Sequence, residues 1–539
     1  MSGSITLENR FGVNKMELIS LKYAIFVIVL LVLYYCFPKK YRWYVLLAGS
    51  MAYYVIICKW YVLFIIFTIC TTYGSTIWID KLLKKQNAVV KSHKEDWDRQ
   101  TRKEYKEKGR KKRVAVMLFA LLCNFGILAF LKYIPYAGEL GLLLPLGISF
   151  YTFQSMGYVM DVYREIVEPE KNFFKVALFV SFFPQIIQGP IAIYDKLAGQ
   201  LYEGHSLRLE NLQKGALLVL WGVMKKLVIA DRAVNIINFV MDKPMDFSGT
   251  YVFFAAVVYA LQLYADFSGG IDIVRGIAEM FGITMSTNFN HPYFSRSLTE
   301  YWHRWHMTLG DWCRNYIFYP LSISKRFLNF GKWLKPRFGA HISKVLPGCI
   351  ASVITFIVIG VWHGANMKYL YFGLWNGIVI MLAELFAPVN KKVAGGFFKL
   401  TGLREKGIFA TIVSVFWTFM LILVGYYFDI AANASTAFHM LFKSVTDFHI
   451  SELGINNIIL NLGACGLDEY DILLLIICTL LWFFISFVEE NKKLDMRDFI
   501  LSRKLPLRWA IIYLGIFIVI IFGYYGPGVN PADFVYMQF

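Results

Sequence analysis

The chain has 539 residues, 57% of them hydrophobic and 17% charged, with a formal charge of +18. Its apolar residues fall in blocks near the length that crosses a bilayer, which excludes an ordinary water-soluble domain and predicts an all-α polytopic membrane protein. The basic excess sits in short stretches between those blocks, reporting topology and anionic headgroups rather than nucleic acid, and the eight scattered cysteines draw no disulfide frame or CxxC metal site.

In chain order, the block 18–37 is too long for a signal-peptide core and precedes Lys39, Lys40 and Arg42, so it reads as a retained first helix. Further blocks lie at 43–58, 60–79, 114–133, 142–163, 173–193, 212–240, 250–282, 345–363, 368–387, 408–430, 470–488 and 507–526. Gly and Pro interruptions mark several as split or re-entrant, for a total of roughly 11–14 spanning, split or re-entrant helices. Residues 1–539 are expected to form a single membrane domain, without internal repeat or separate soluble domain.

The stretch 81–113 holds fourteen Lys/Arg against five acids and reads as a solvated cytosolic helical arm. With that arm inside, the positive-inside rule also places the Lys39 to Arg42 turn and the basic stretches 321–344, 388–407 and 489–508 in the cytosol. Both termini, the loop 431–469 and the His363 end of the 345–363 block then lie outside.

His363 closes an otherwise uncharged apolar block. An ionisable ring near membrane depth is costly and is by default a functional candidate. At about 1.5 Å per residue it lies roughly 27 Å from Val345, in the outer half of the bilayer.

The segment 291–320 packs three His, three Arg, three Trp and two acids into an apolar context, and it reads as amphipathic or re-entrant. Within it, His303 and His306 stand at i,i+3 but lack a further assignable ligand, so no metal site is expected. An interfacial aromatic belt or a pocket wall remain, the wall using Trp302, His303, Arg304, Trp305 and His306 toward a substrate.

Asp266 and Ser268 sit inside an apolar block, where a carboxylate has a partner or lines a cavity. Arg164, Gln185 and Gln188 read as polar glue between helices. Lys225, Lys226 and Arg232 suit either topology or an anionic donor at the cytosolic side.

GVWHGA at 360–365, followed by YFGLWNG at 371–377, resembles the histidine signature of the membrane-bound O-acyltransferase (MBOAT) family. TEYWHRWHMTLGDWCRNYIFYPL at 299–321 resembles its second hallmark. Further similar stretches are LPLGISFYTFQSMGYVMDVYR at 144–164, FFPQIIQGPIAIY at 182–194, WGVMKKLVIADR at 221–232 and YADFSGGIDIVRGIAEMFGI at 264–283, and the terminal FVYMQF suits the bacterial branch. That branch includes alginate O-acetyltransferase membrane subunits, with peptidoglycan O-acetyltransferase and teichoic-acid D-alanyl transfer proteins as relatives. The family usually has arginine where this chain has His303.

The resemblance implies the MBOAT fold, helices around a central cavity, with 345–387 as the catalytic histidine helix pair. It also implies that His363 is catalytic and His306 the second functional histidine. An imidazole can take the proton of an attacking hydroxyl and return it to a leaving thiolate. Trp302, His306 and Asn366 are the expected contributors to oxyanion stabilisation and substrate orientation.

No bound cofactor is expected. The implied donor is acetyl-CoA or an acyl carrier protein, and the acceptor a polysaccharide or cell-wall polymer outside the bacterial cell membrane. A partner acetyltransferase of the SGNH, serine-hydrolase-like kind is implied, docking on the 431–469 loop and the tail. Competing readings are D-alanyl transfer to teichoic acid, a transporter or flippase for a lipid-linked saccharide, and a non-catalytic scaffold.

Overall fold

The protein is described by a computed structural model covering residues 16–134, 138, 140, 142, 144–401, 404, 407–454, 457, 463–526 and 534. Among these residues every regular element is a helix. The terminal motif, apart from Phe534, lies outside the described residues, as do 455–456 and 458–462 of the 431–469 loop.

Seven helical stretches among the described residues are long and apolar enough to cross a membrane. The bent pair Met367–Leu385 and Ala387–Thr401 makes an eighth, and Leu21–Cys36 and Phe173–Gln188 are shorter apolar helices. The protein is therefore an all-α multi-pass membrane protein. The expected blocks 43–58 and 60–79 are two helices, Arg42–Cys58 and Val62–Ser92, joined through a 3-10 turn at Lys59–Tyr61 where Lys59 has a φ of 50°.

Block 173–193 is split at Phe182, where Pro184 opens the second helix. Block 212–240 is interrupted by a π-helical turn, Lys225–Ala230, with neither Gly nor Pro at the break.

The chain divides into two compact units, one from the described residues of Met1–Val219 with Ile273–Ser286, the other from Leu220–Asp272 with Thr287–Phe539. In the first unit the basic stretch 81–113 is carried by two helices, Val62–Ser92 and Arg99–Tyr133, joined by a turn over 93–98, and Asp98 caps the second helix. Gln185 donates to Gln154 and to the Pro190 carbonyl, which makes it the polar glue expected of it.

In the second unit the helix Lys325–His363 is broken at Gly339, whose φ of 81° turns the chain back on itself. Its second half runs to His363 and pairs with Met367–Leu385, which starts from an Asn366 cap donated to by the Lys368 N–H at 3.1 Å. Glycines at i,i+4 on both partners, Gly360 with Gly364 and Gly373 with Gly377, bring the backbones together. A Cβ on Gly360 would lie 2.2 Å from the Tyr369 carbonyl oxygen, and one on Gly373 2.3 Å from that of Phe356.

Replacing Gly360 by Ala should therefore force the pair apart at a cost of about 1–3 kcal/mol. Gly348→Ala on the same helix, where a Cβ meets nothing within 4 Å, should be neutral. Apparent melting temperatures of the two purified variants check this, and equal stability would contradict the packing.

Candidate active site

His363 is the last residue of its helix, half-buried, and its ring stacks on Tyr369 at 5.9 Å and meets Phe372 edge-on at 5.5 Å. His306 comes from the short-helix segment between the spans Gly249–Met280 and Lys325–His363, and it is buried. Both rings line one cavity of about 40 Å³, whose wall also includes Phe267, Trp302, Trp305, Asn376, Tyr426 and Asp429. That space holds a few waters or a group of acetyl size.

His306 has left-handed backbone angles, φ 43° and ψ 52°, unusual for a residue with a Cβ. Asn288 holds it there. The Met307 N–H donates to the Asn288 backbone carbonyl at 2.9 Å, and the Thr308 N–H and hydroxyl donate to Asn288 Oδ1 at 3.1 and 2.9 Å.

His306 Nδ1 lies 3.1 Å from the same Oδ1. An oxygen already accepting a backbone N–H can only accept again, so the proton is on Nδ1 and Nε2 is the acceptor nitrogen. Burial, and secondarily the neighbouring His363, lowers the His306 pKa to about 3, so the ring is neutral at ordinary pH.

Several groups of the wall spend their donors on acceptors within the protein. Trp302 Nε1 donates to Asn376 Oδ1 at 2.9 Å, while Asn376 Nδ2 donates to the Phe372 carbonyl. Tyr259 donates to the Asp429 carboxylate at 2.7 Å. Tyr293 donates to the Ala260 carbonyl and so accepts from Tyr426, which in turn accepts from Tyr301 at 2.7 Å. Each hydroxyl in that row has its proton committed, and Tyr301 and Tyr426 both border the cavity.

The sequence expectations divide accordingly. Trp302, Trp305, His306 and His363 are brought together. His303 is exposed, and Arg304 is paired with Glu300 at 2.8 Å and Glu490 at 3.0 Å. Helix Leu298–Arg304 turns these two away from the side that carries Tyr301 and Trp302.

The expected oxyanion set is also corrected. Asn366 is an exposed helix cap that reaches the Ala432 carbonyl, Trp302 donates to Asn376, and the His306 tautomer presents an acceptor.

Asp266 and Ser268 are buried with cations rather than lining the cavity. Lys226 Nζ lies 2.7 Å from Asp266 and 2.8 Å from Asp231, and Lys225 Nζ lies 2.8 Å from Ser268 and 2.6 Å from Asp272. Arg232 binds Asp471 at 2.8 Å. These three cations are therefore internal ion-pair partners, not an open basic surface for an anionic donor. Asn288, Asn376 and Asp429 were missed, although Asp429 is visible as the only carboxylate in the apolar block 408–430.

The membrane-bound O-acyltransferase family model matches residues 169–335, a stretch that contains the Trp302 to His306 segment and the Lys225 to Arg232 turn. That stretch of the chain is similar to the family. Among curated relatives it is 30% identical over 315 residues to the probable alginate O-acetylase AlgI of Pseudomonas syringae pv. tomato, covering 58% of this chain and 54% of the relative. It is 29% identical to the peptidoglycan O-acetyltransferase of Helicobacter pylori, over 51% of this chain and 56% of that one. It is 26% identical to the teichoic acid D-alanyltransferase of Bacillus subtilis, over 52% and 67%. The chain thus spans little more than half the length of the first two.

Two outcomes follow for this chain. Lys226→Met leaves two buried carboxylates uncompensated and should cost about 3–5 kcal/mol. The measure is loss of folded monodisperse protein on size exclusion, and a stable variant would return Lys226 to the open-surface reading.

Because folding lowers the His306 pKa from 6.5 to about 3, the unfolded chain binds a proton below pH 6.5 that the folded chain refuses. Stability is therefore full above pH 6.5 and falls as pH drops toward 3, at up to about 1.4 kcal/mol per pH unit. His306→Gln should show a shallower acid-side fall in melting temperature than the parent.

Proposed function

We propose that the protein is an O-acyltransferase that moves an acetyl group from a cytosolic thioester donor to a hydroxyl outside the membrane. The observation that carries this reading is the cavity itself, where two imidazoles from segments far apart in sequence share a wall whose Tyr301, Tyr426 and Trp302 donors are committed to protein acceptors. Such a wall receives a hydroxyl proton. His363 takes that proton while the alcohol oxygen bonds to the acyl carbon, the carbon–sulfur bond breaks, and the departing thiolate recovers the proton. His306 Nε2 orients the attacking hydroxyl.

The donor is acetyl-CoA or an acetylated carrier protein, and the small cavity favours a short acyl group. The alginate and peptidoglycan acetylating relatives support a cell-envelope polysaccharide as acceptor, reached directly or through a serine-hydrolase-like partner on the outer face. The loop charges support a bacterial cell membrane location with both termini outside. The D-alanyl relative supports the second reading, transfer of D-alanine to teichoic acid from a carrier protein.

Membranes carrying the protein, given radiolabelled acetyl-CoA, should transfer label to the polymer fraction. His363→Ala should lower that transfer by about 10²–10⁴-fold with unchanged folded yield. Full retention by His363→Ala would overturn the enzyme reading and favour a scaffold, whereas label moving only from a D-alanyl carrier would favour the second reading.

A further inference from the structure

The residues 325–344 contain Lys325, Arg326, Lys332, Lys335, Arg337 and Lys344 and not one Asp or Glu. All six cations are exposed. The break at Gly339 folds Lys325–Phe338 back on the helix that follows, for a Cβ on Gly331 would lie 2.9 Å from the Ser343 carbonyl oxygen. In an unbroken helix those two residues would stand about 18 Å apart.

At the turn, His341 Nε2 lies 3.2 Å from the Leu385 carbonyl, which brings the start of Ala387–Thr401 alongside. That second helix carries Lys391, Lys392 and Lys399, again with no acid.

The same surface exposes large apolar side chains. Leu328 is 54% exposed, Trp333 50%, Phe338 55% and Val393 67%. Water alone would not favour that display, and the hydrocarbon core would not accept the cations among it. The fourteen residues of 325–338 span about 21 Å, short of the roughly 30 Å core.

One environment satisfies both halves, the headgroup layer, with the apolar side chains at the acyl boundary and the cations among phosphates. Arg337 is arranged for that depth, its guanidinium 4.2 Å over the Trp333 ring and donating to the Trp333 carbonyl at 2.9 Å.

We propose that Lys325–Phe338 and Ala387–Thr401 form an in-plane anchor that binds anionic phospholipid headgroups. The absence of any acid across both helices sets the preference for anionic over zwitterionic lipid. The anchor is covalently continuous with the helix that ends at His363, so lipid charge bears on the frame of that histidine. Free phosphate esters, including those of a nucleotide thioester, share the headgroup's chemistry, but they give the exposed Leu328, Phe338 and Val393 nothing to cover.

The test is native mass spectrometry of the full-length protein titrated with phosphatidylglycerol, phosphatidylcholine or acetyl-CoA. The parent should retain phosphatidylglycerol at least tenfold more tightly than phosphatidylcholine. Lys332→Gln/Lys335→Gln/Arg337→Gln should weaken phosphatidylglycerol binding on the order of a hundredfold, about fivefold per charge, and leave phosphatidylcholine binding unchanged. Lys391→Gln/Lys392→Gln, on the other helix, should give a smaller loss of the same kind and serves if the triple variant does not fold. Equal phosphatidylglycerol retention by parent and variants, or a loss confined to acetyl-CoA, would overturn the anchor.

Discussion

The close approach of two backbones at Gly360 and Gly373 is the constraint on which the site rests. Carbonyl oxygens of Tyr369 and Phe356 occupy the space a side chain would need. That contact sets the rotation of one helix against the other, and rotation decides which side chains face inward. His363 meets Tyr369 and Phe372 because of it, and Asn376 reaches the Trp302 indole from the same helix. A histidine at a helix end would otherwise swing freely. Here its ring is walled by rings that the glycines have brought within reach.

The second organising fact is how the unit that holds the cavity disposes of charge. Lys226 sits between Asp231 and Asp266, Lys225 between Ser268 and Asp272, and Arg232 on Asp471, all buried or nearly so. Pairing of this kind repays desolvation only when every member is held. It also removes these groups from chemistry, since a cation fixed by carboxylates within 3 Å has little to offer a substrate. The cavity wall, by contrast, keeps imidazoles, phenols and amides whose orientation is set by hydrogen bonds rather than by ion pairs.

What the sequence made legible follows from the range of each signal. Apolar block length reports helices locally, so the all-α membrane architecture was readable, and the helix pair around His363 was implied by the family resemblance. Pro184 announced the split of the 173–193 block. The π-helical turn at Lys225 had no such announcement, because its cause is the burial of two lysines against carboxylates forty and more residues away.

His303 and Arg304 show the same limit. Residue type marked the whole Trp302 to His306 run as special, but the pitch of a seven-residue helix and a partner at Glu490 decided which of them face the cavity. Asn288 was unreadable for a related reason. An asparagine in a polar turn has no distinctive spacing, and its role appears only when Met307 and Thr308 are seen to close on it.

Taken together, the hydrogen-bond directions say more about the cavity than its residue types do. Tyr301 donates to Tyr426, Tyr426 to Tyr293, and Tyr293 to a carbonyl, Trp302 donates to Asn376, and Tyr259 to Asp429. Every proton in that list is held by an acceptor of the protein. His306 completes the pattern by directing its Nδ1 proton to Asn288 and presenting its other nitrogen as an acceptor.

Phenols and an indole with their donors committed are poorly matched to a group that only accepts, such as an anion. They are well matched to one that arrives with a proton to share. An alcohol is such a group, and its proton is the one that must leave before its oxygen can attack an acyl carbon.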